Sequence, residues 1–432
     1  MNRNGSETAV DLAARALEFR DTIERHFFDE RGILICNVDS RTLQPFKEED
    51  LSDAVVTLSG GSKVGRWAYE DTMFCVGMYL RALVEEYTVT RDEKVKAIAD
   101  RIFDDLQPLI RENNEIEPGY IGKPWGGRPQ RSTTIDQTFF FCFGLFLYAQ
   151  IADDARKQRA GEIIAANVDW WMKDDYHPFD RARDEPPAFL NPFQAGAVLA
   201  QVYLAYLCTG NEKYRNECER LNREHRADEF QVLRSSQWHP VDEKGLKTRS
   251  WAFFHFLLGS GLWLFAGHWT DRRAWWQERF VEQWHRDIKL GMCDDGLAYL
   301  AVRINLRNGK EVPIRPEEAG FLQYEGFEDL KAANLQHRFW ASAAKSSHIS
   351  THIACCGVQL AEAAPWMRPE VEAVVRSVLH AVDLQKCVWV EDPDGTQWPA
   401  DERQYTHSLA IRCITPWLIT YWMGRRLGMI EG

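Results

Sequence analysis

Residues 131–149 read RSTTIDQTFFFCFGLFLYA. Three hydroxyl residues, Ser132, Thr133 and Thr134, and one carboxylate, Asp136, lead into a run that has almost no polar side chain after Thr138. A helix that is apolar all round is buried on every side, so this one belongs inside a larger assembly of helices. The segment has relatives. A polar or aromatic opening followed by an apolar run recurs at 69–88, 191–208, 250–267, 347–361 and 405–424, which makes six in all. Measured between Asp71, Asp136, Gln194, His255, His352 and His407, most intervals are roughly 60 residues, the fixed period of a repeat architecture. One interval is much longer.

After each of the first five runs comes a short turn: TVTRDEKVKA, IADDARKQRA, CTGNEKYRNE, GHWTDRRAWW and AAPWMRPEVE. A second helix then follows, with one apolar stripe among charges, as in Val95, Ile98, Ile102, Phe103 and Leu106 or in Val371, Val374, Val375, Val378 and Val382. A single stripe marks a half-exposed helix. The repeating unit is therefore inner helix, turn, outer helix. Six inner helices need six outer ones and only five follow in sequence. The sixth is expected at the N-terminus, where Val10, Ala13, Ala14 and Leu17 make a stripe on a charged helix that ends near Phe28 and closes the ring beside the last inner helix. The prediction is an all-α (α/α)6 toroid forming a single domain over 1–432, with all six inner-helix openings at one mouth and the preceding loops forming a cup.

The long interval contains GMCDDGLAYLAVRINLRNGKEVPIRPEEAG. Alternation in LAYLAVRINL and the turn pair Asn308-Gly309 predict a β-hairpin within an insertion near 292–337 that lies over the cup. Shorter strands are expected at 33–38 and 388–390.

A formal net charge of −12 argues against nucleic-acid or anionic-membrane surfaces, since phosphate binding needs a basic face. Cys75, Cys142, Cys208, Cys355, Cys356 and Cys413, among 10 cysteines, lie in apolar helical runs without a CxxC pair, as reduced core residues do. With no signal-peptide core and no run long enough to span a bilayer, the expected compartment is the cytoplasm. No P-loop or dinucleotide fingerprint is present, so no cofactor is expected. Asp294-Asp295-Gly296 and Asp392-Pro393-Asp394-Gly395 read as turns rather than calcium loops.

The mouth loops carry the mixture that handles sugars, aromatic faces for the rings and polar groups for the hydroxyls. The candidates for substrate binding are Arg66, Trp67, Glu70, Trp125, Arg131, Gln137, Trp238, His239, Trp251 and Trp398, and an oligosaccharide or glycoside is the expected partner. Asp71 and Asp136 open consecutive inner helices and so face one cavity from neighbouring walls. Two carboxylates in that relation can divide into acid and base, as in glycoside cleavage. Helix capping is the competing explanation for each. It is weaker for Asp136, because Ser132, Thr133 and Thr134 stand ahead of it to cap.

On these residues the chain resembles the unsaturated glucuronyl hydrolases, six-hairpin enzymes in which an Ile-Asp-Asn segment opens an apolar helix, as Ile135-Asp136-Gln137 does here. The resemblance implies that Asp136 protonates the double bond of an unsaturated uronic acid and activates water, with Asp71 in support. The chain departs from that family in carrying Gln137 for Asn and in lacking the His-Asp-x-Gly pattern around Asp71.

A second constellation suggests other chemistry. His348 and His352, at i and i+4, open the fifth inner helix, and Tyr405 with His407 open the sixth. His and Tyr can take a proton from beside a carboxylate and return it to a leaving oxygen, the logic of a uronate lyase or a sugar epimerase. Arg66, Arg131 or Arg412 would neutralise the substrate carboxylate. No HExxH accompanies the histidines, and no metal is expected. A non-catalytic sugar-binding toroid is the third reading.

Overall fold

The computed structural model describes residues 11–51, 62–177, 187, 194–225, 227–228, 246–248, 252–289, 292, 296–298, 301–304, 311–314, 343–391 and 406–431, and at some of these, Arg66, His255 and His407 among them, the backbone alone. The inner helices are α3 (Thr72–Thr90), α5 (Ile135–Tyr148), α7 (Ala195–Thr209), α9 (Ala252–His268), α11 (Ala343–Ala363) and α13 (Ile411–Arg426). Each packs on the next, and α13 packs back on α3, so the ring is closed. The outer helices are α1 (Leu12–His26), α4 (Glu93–Ile116), α6 (Asp154–Lys173), α8 (Glu212–His225), α10 (Arg273–Gln283) and α12 (Arg368–Ala381). A short helix, α2 (Lys63–Tyr69), precedes α3.

The similar turns have a common physical basis. Inner helices α3 and α7 end at a left-handed residue, Arg91 or Gly210, that stops the helix. Asp92, Asp153 and Asn211 then accept from the backbone N–H groups of Lys94 (3.0 Å), Arg156 (2.9 Å) and Lys213 (3.0 Å) and so start α4, α6 and α8.

Inner helices run in one direction, as pairs of contacts show. Phe74 meets Gln137 and Gly77 lies against Phe140 and Gly144 between α3 and α5, while Asp71 meets Arg412 and Glu85 meets Arg426 between α3 and α13. The opening ends therefore share a pole. The lumen is filled below it. Phe143 of α5 and Trp263 of α9, which are not neighbours in the ring, touch at 5.6 Å between ring centroids, and the buried Arg81 guanidinium of α3 lies 5.2 Å from each. At the far pole Arg426 joins Glu85 of α3 to Glu362 of α11, and Trp263 donates to Glu362 at 2.8 Å.

The N-terminal helix does close the ring beside α13, with Phe19 on Trp417 at 4.8 Å, but on a different stripe. Ala16, Phe19 and Ile23 are buried, whereas Ala14 is exposed and Leu17 is 46% exposed. Arg15 fixes the helix by donating to the carbonyls of Leu379 (3.0 Å) and Val382 (2.9 Å) at the end of α12.

Among the described residues, two small antiparallel sheets decorate the toroid. One has the order β1 (Asn37–Asp39), β6 (Thr406–Ala410), β5 (Val388–Glu391). The sixth inner helix therefore begins at Ile411, and the segment around His407 is a strand paired with Val390 rather than a helix opening. The other sheet contains the expected hairpin, β3 (Ala301–Ile304) with β4 (Glu311–Ile314), and adds β2 (Leu246–Thr248) from before α9. The Asn308-Gly309 turn and most of 292–337 lie outside the described residues.

Candidate active site

Asp71 stands at the break between α2 and α3, in the N-cap position, yet its carboxylate makes no capping bond. It points instead to two neighbouring inner helices. Gln137 Nε2 of α5 donates to Asp71 Oδ1 at 2.8 Å, and Arg412 of α13 pairs with Asp71 Oδ2. The Gln137 amide is itself oriented, because its Oε1 accepts from the backbone N–H of Phe74 at 3.1 Å. Below, the Asp71 backbone N–H donates to Cys36 Sγ at 3.1 Å, and the Thr72 hydroxyl donates to the Leu34 carbonyl at 2.8 Å. Asp71 is thus held at a three-helix junction, with its charge opposed by a partly buried guanidinium. The capping explanation does not account for it.

Asp136 lies in the first turn of α5, next to Gln137, and is partly buried. Burial pushes its carboxyl above the ordinary carboxylate range, and the Asp71 charge adds to this. The Thr134 hydroxyl and the Lys123 ammonium pull the other way without cancelling the rise. The expected hydroxyl caps are not found at two of the three positions. Thr134 holds the N-cap position with no capping bond, and the Thr133 hydroxyl donates to the Ile121 carbonyl at 2.6 Å.

Lys123 is the residue that sequence reasoning missed. Its backbone N–H donates to the Ser132 carbonyl at 2.8 Å and its carbonyl accepts from Gln130 at 3.0 Å, so residues 123–132 form a closed loop that projects the ammonium inward. The ammonium lies 3.5 Å from Glu70 Oε1. Burial would lower its pKa, but Glu70, Asp71 and Asp136 together raise it, so it stays protonated. The signal available beforehand was slight: one lysine in PGYIGKPWGGRPQ, among turn residues.

The remaining candidates divide by place. Trp67 lies on α2 and donates from Nε1 to Ser408 Oγ at 3.0 Å, tying the helix to β6. Arg66 shares α2. Trp125 is buried in a one-turn 3₁₀ segment packed on α2, and Arg131 is exposed. His348 and His352 are fully buried on α11, with ring centroids 4.1 Å apart. Trp238, His239, Trp251, Trp398 and Tyr405 lie outside the described residues, as does the side chain of His407. The structure therefore brings Glu70, Asp71, Asp136 and Gln137 together and adds Lys123, while Arg412, expected at the substrate carboxylate, is paired with Asp71 instead.

No known family profile matches the chain, and no curated protein does. Solved structures do. An unsaturated glucuronyl hydrolase specific for heparin superposes with a TM-score of 0.54 at 10% identity, covering 97% of each chain. A glycoside hydrolase family 76 mannosidase from Bacteroides thetaiotaomicron gives 0.51 at 8% identity, over 97% of this chain and 100% of that one. Cellobiose 2-epimerase from Bacillus thermoamylovorans gives 0.50 at 14% identity, over 95% and 99%. Likeness at such identities is a statement about fold, and with the closed ring of helical hairpins it shows this chain to be an all-α (α/α)6 toroid.

Proposed function

We propose that the protein is a carbohydrate-active enzyme, a glycoside hydrolase whose substrate is an oligosaccharide containing uronic acid. One observation carries this reading. Two carboxylates open consecutive inner helices at one pole in unlike surroundings, Asp136 raised by burial and Asp71 ion-paired with Arg412. Such divergence is what acid/base work by two like groups requires. Asp136 is assigned the proton-transferring role and Asp71 the role of a fixed negative charge. Lys123 and the loop tryptophans are assigned to the substrate. None of the nine described cysteines is joined in a disulfide, which supports a reducing compartment such as the cytoplasm. Among the described residues no helix is long and apolar enough to cross a membrane.

The test compares the protein with Asp136→Asn on saturated and unsaturated uronic-acid oligosaccharides, following ultraviolet absorbance of the unsaturated uronate together with new reducing ends. Absorbance lost with the wild type and retained with the variant is the expected result. New reducing ends without an absorbance change would indicate an ordinary glycosidase, and an active Asp136→Asn variant would remove the assignment.

The buried His348–His352 pair favours a second reading, sugar epimerisation by proton transfer. It predicts deuterium uptake from heavy water at a ring carbon of a disaccharide, lost in His352→Asn. No uptake by the wild type would eliminate it.

A further inference from the structure

A cavity of about 670 Å³ opens between α8 and the turn from α9 to α10, away from the residues described above. Its walls include Tyr206, near the end of α7, and Trp269, just after α9. Both lie at the closing ends of inner helices. The candidate active site lies at their opening ends, so a 15-residue helix such as α7 separates the two by about 20 Å. The volume lies within the range of small-molecule sites.

The lining is that of a site for an acidic sugar. Tyr206 and Trp269 are partly exposed aromatics, and Trp269 is stiffened by stacking on Tyr203, with ring centroids 4.7 Å apart. Beside them stand Arg215, Arg223 and Arg272, against the carboxylates Glu219 and Asp271. Arg272 is pre-positioned. One Nη donates to Asp228 at 2.6 Å and its plane lies over Trp275 at 4.2 Å, so its remaining N–H groups are held ready without being used by that pair. Arg215 hydrogen-bonds the Tyr206 hydroxyl and lies 3.6 Å from both Asp271 and Glu219, so it is held at the wall by contacts that an incoming carboxylate would compete with. A planar cation held beside aromatic surface matches a pyranose ring bearing a carboxylate.

We infer that this cavity is a second, non-catalytic binding site for a uronic-acid oligosaccharide, on the pole opposite the cup. The choice of ligand rests on the proposed function, whereas the existence of the site rests on the cavity itself.

The experiment is calorimetric titration of the Asp136→Asn protein with a saturated galacturonic acid trisaccharide, repeated with Arg215→Gln and with Arg272→Gln added. Binding that weakens about tenfold in each added variant, and that fades as salt rises, is the expected result. Arg215 is on the surface of α8, so Arg215→Gln tests the site even where Arg272→Gln disturbs packing. Turnover of a short substrate by Arg215→Gln alone should equal that of the wild type. Binding unchanged by both substitutions would place all of the sugar elsewhere and overturn the inference. Equal binding of a neutral trisaccharide, or of inorganic phosphate, would overturn its ligand class. Failure of the proposed function looks different: uronates would bind at Arg215 and Arg272 while no uronate was cleaved.

Discussion

At the residue scale, the candidate site depends on a few side chains whose partners come from different helices. Gln137 is the clearest. It satisfies the Phe74 N–H and one oxygen of Asp71 at once, so Gln137→Leu should cost roughly 2 kcal/mol of stability by leaving both unpaired. Denaturant titration would measure that, and a larger proportional loss of turnover would show that Asp71 had also lost its orientation. Glu86 offers a test by pH. Buried beside Arg20, its carboxyl is pushed up to about 7 from an ordinary 4.5, because burial outweighs the pairing. The folded state then holds this proton more tightly than the unfolded chain. Stability should therefore fall as pH rises from about 4.5 to 7, by an amount on the order of 3 kcal/mol, and Glu86→Gln should flatten that slope. Asp71, Asp136 and Gln137 were legible in the sequence because polar groups at the start of an apolar helix need a purpose. Lys123 was not, since the three carboxylates around it belong to two other segments that only the folded ring assembles.

At the scale of elements, the contact between α3 and α5 decides how near Asp71 and Gln137 can stand. It is a glycine contact. A Cβ on Gly77 would lie 2.0 Å from the Phe140 carbonyl oxygen, and one on Gly144 would lie 2.3 Å from the Gly77 carbonyl oxygen. Gly144→Ala should therefore push the helices apart at a cost of roughly 1–3 kcal/mol and lengthen the Gln137–Asp71 bond. Thermal melts and turnover should fall together. The same scale shows where patterns misled. Small apolar residues suggested the Ala13–Leu17 stripe on α1, but Phe19 sets the buried face by its size, through Trp417. THSLA ran into an apolar helix and was absorbed into it. Its strand character comes from pairing with residues 37–39 and 388–391, which no local pattern reports. The period of the helical hairpins and the pairing of residues 301–304 with 311–314 are local signals, and the fold keeps both.

For the whole molecule, the ring is closed where its first and last inner helices meet. Arg426 spans that seam, reaching Glu85 on α3 and Glu362 on α11. Arg426→Met should strip Glu85 and Glu362 of their cationic partner, with Glu362 keeping only its bond from Trp263, at a cost of about 3 kcal/mol after allowing for the partial exposure of Glu362. A lower denaturant midpoint with an unchanged slope would be the signature. The packed interior has a different consequence. With Arg81 wedged between Phe143 and Trp263, the toroid is a vessel with one open end. A polymer cannot be threaded through it. Whatever the cup accepts must therefore arrive and depart at the same pole, with no passage out through the floor.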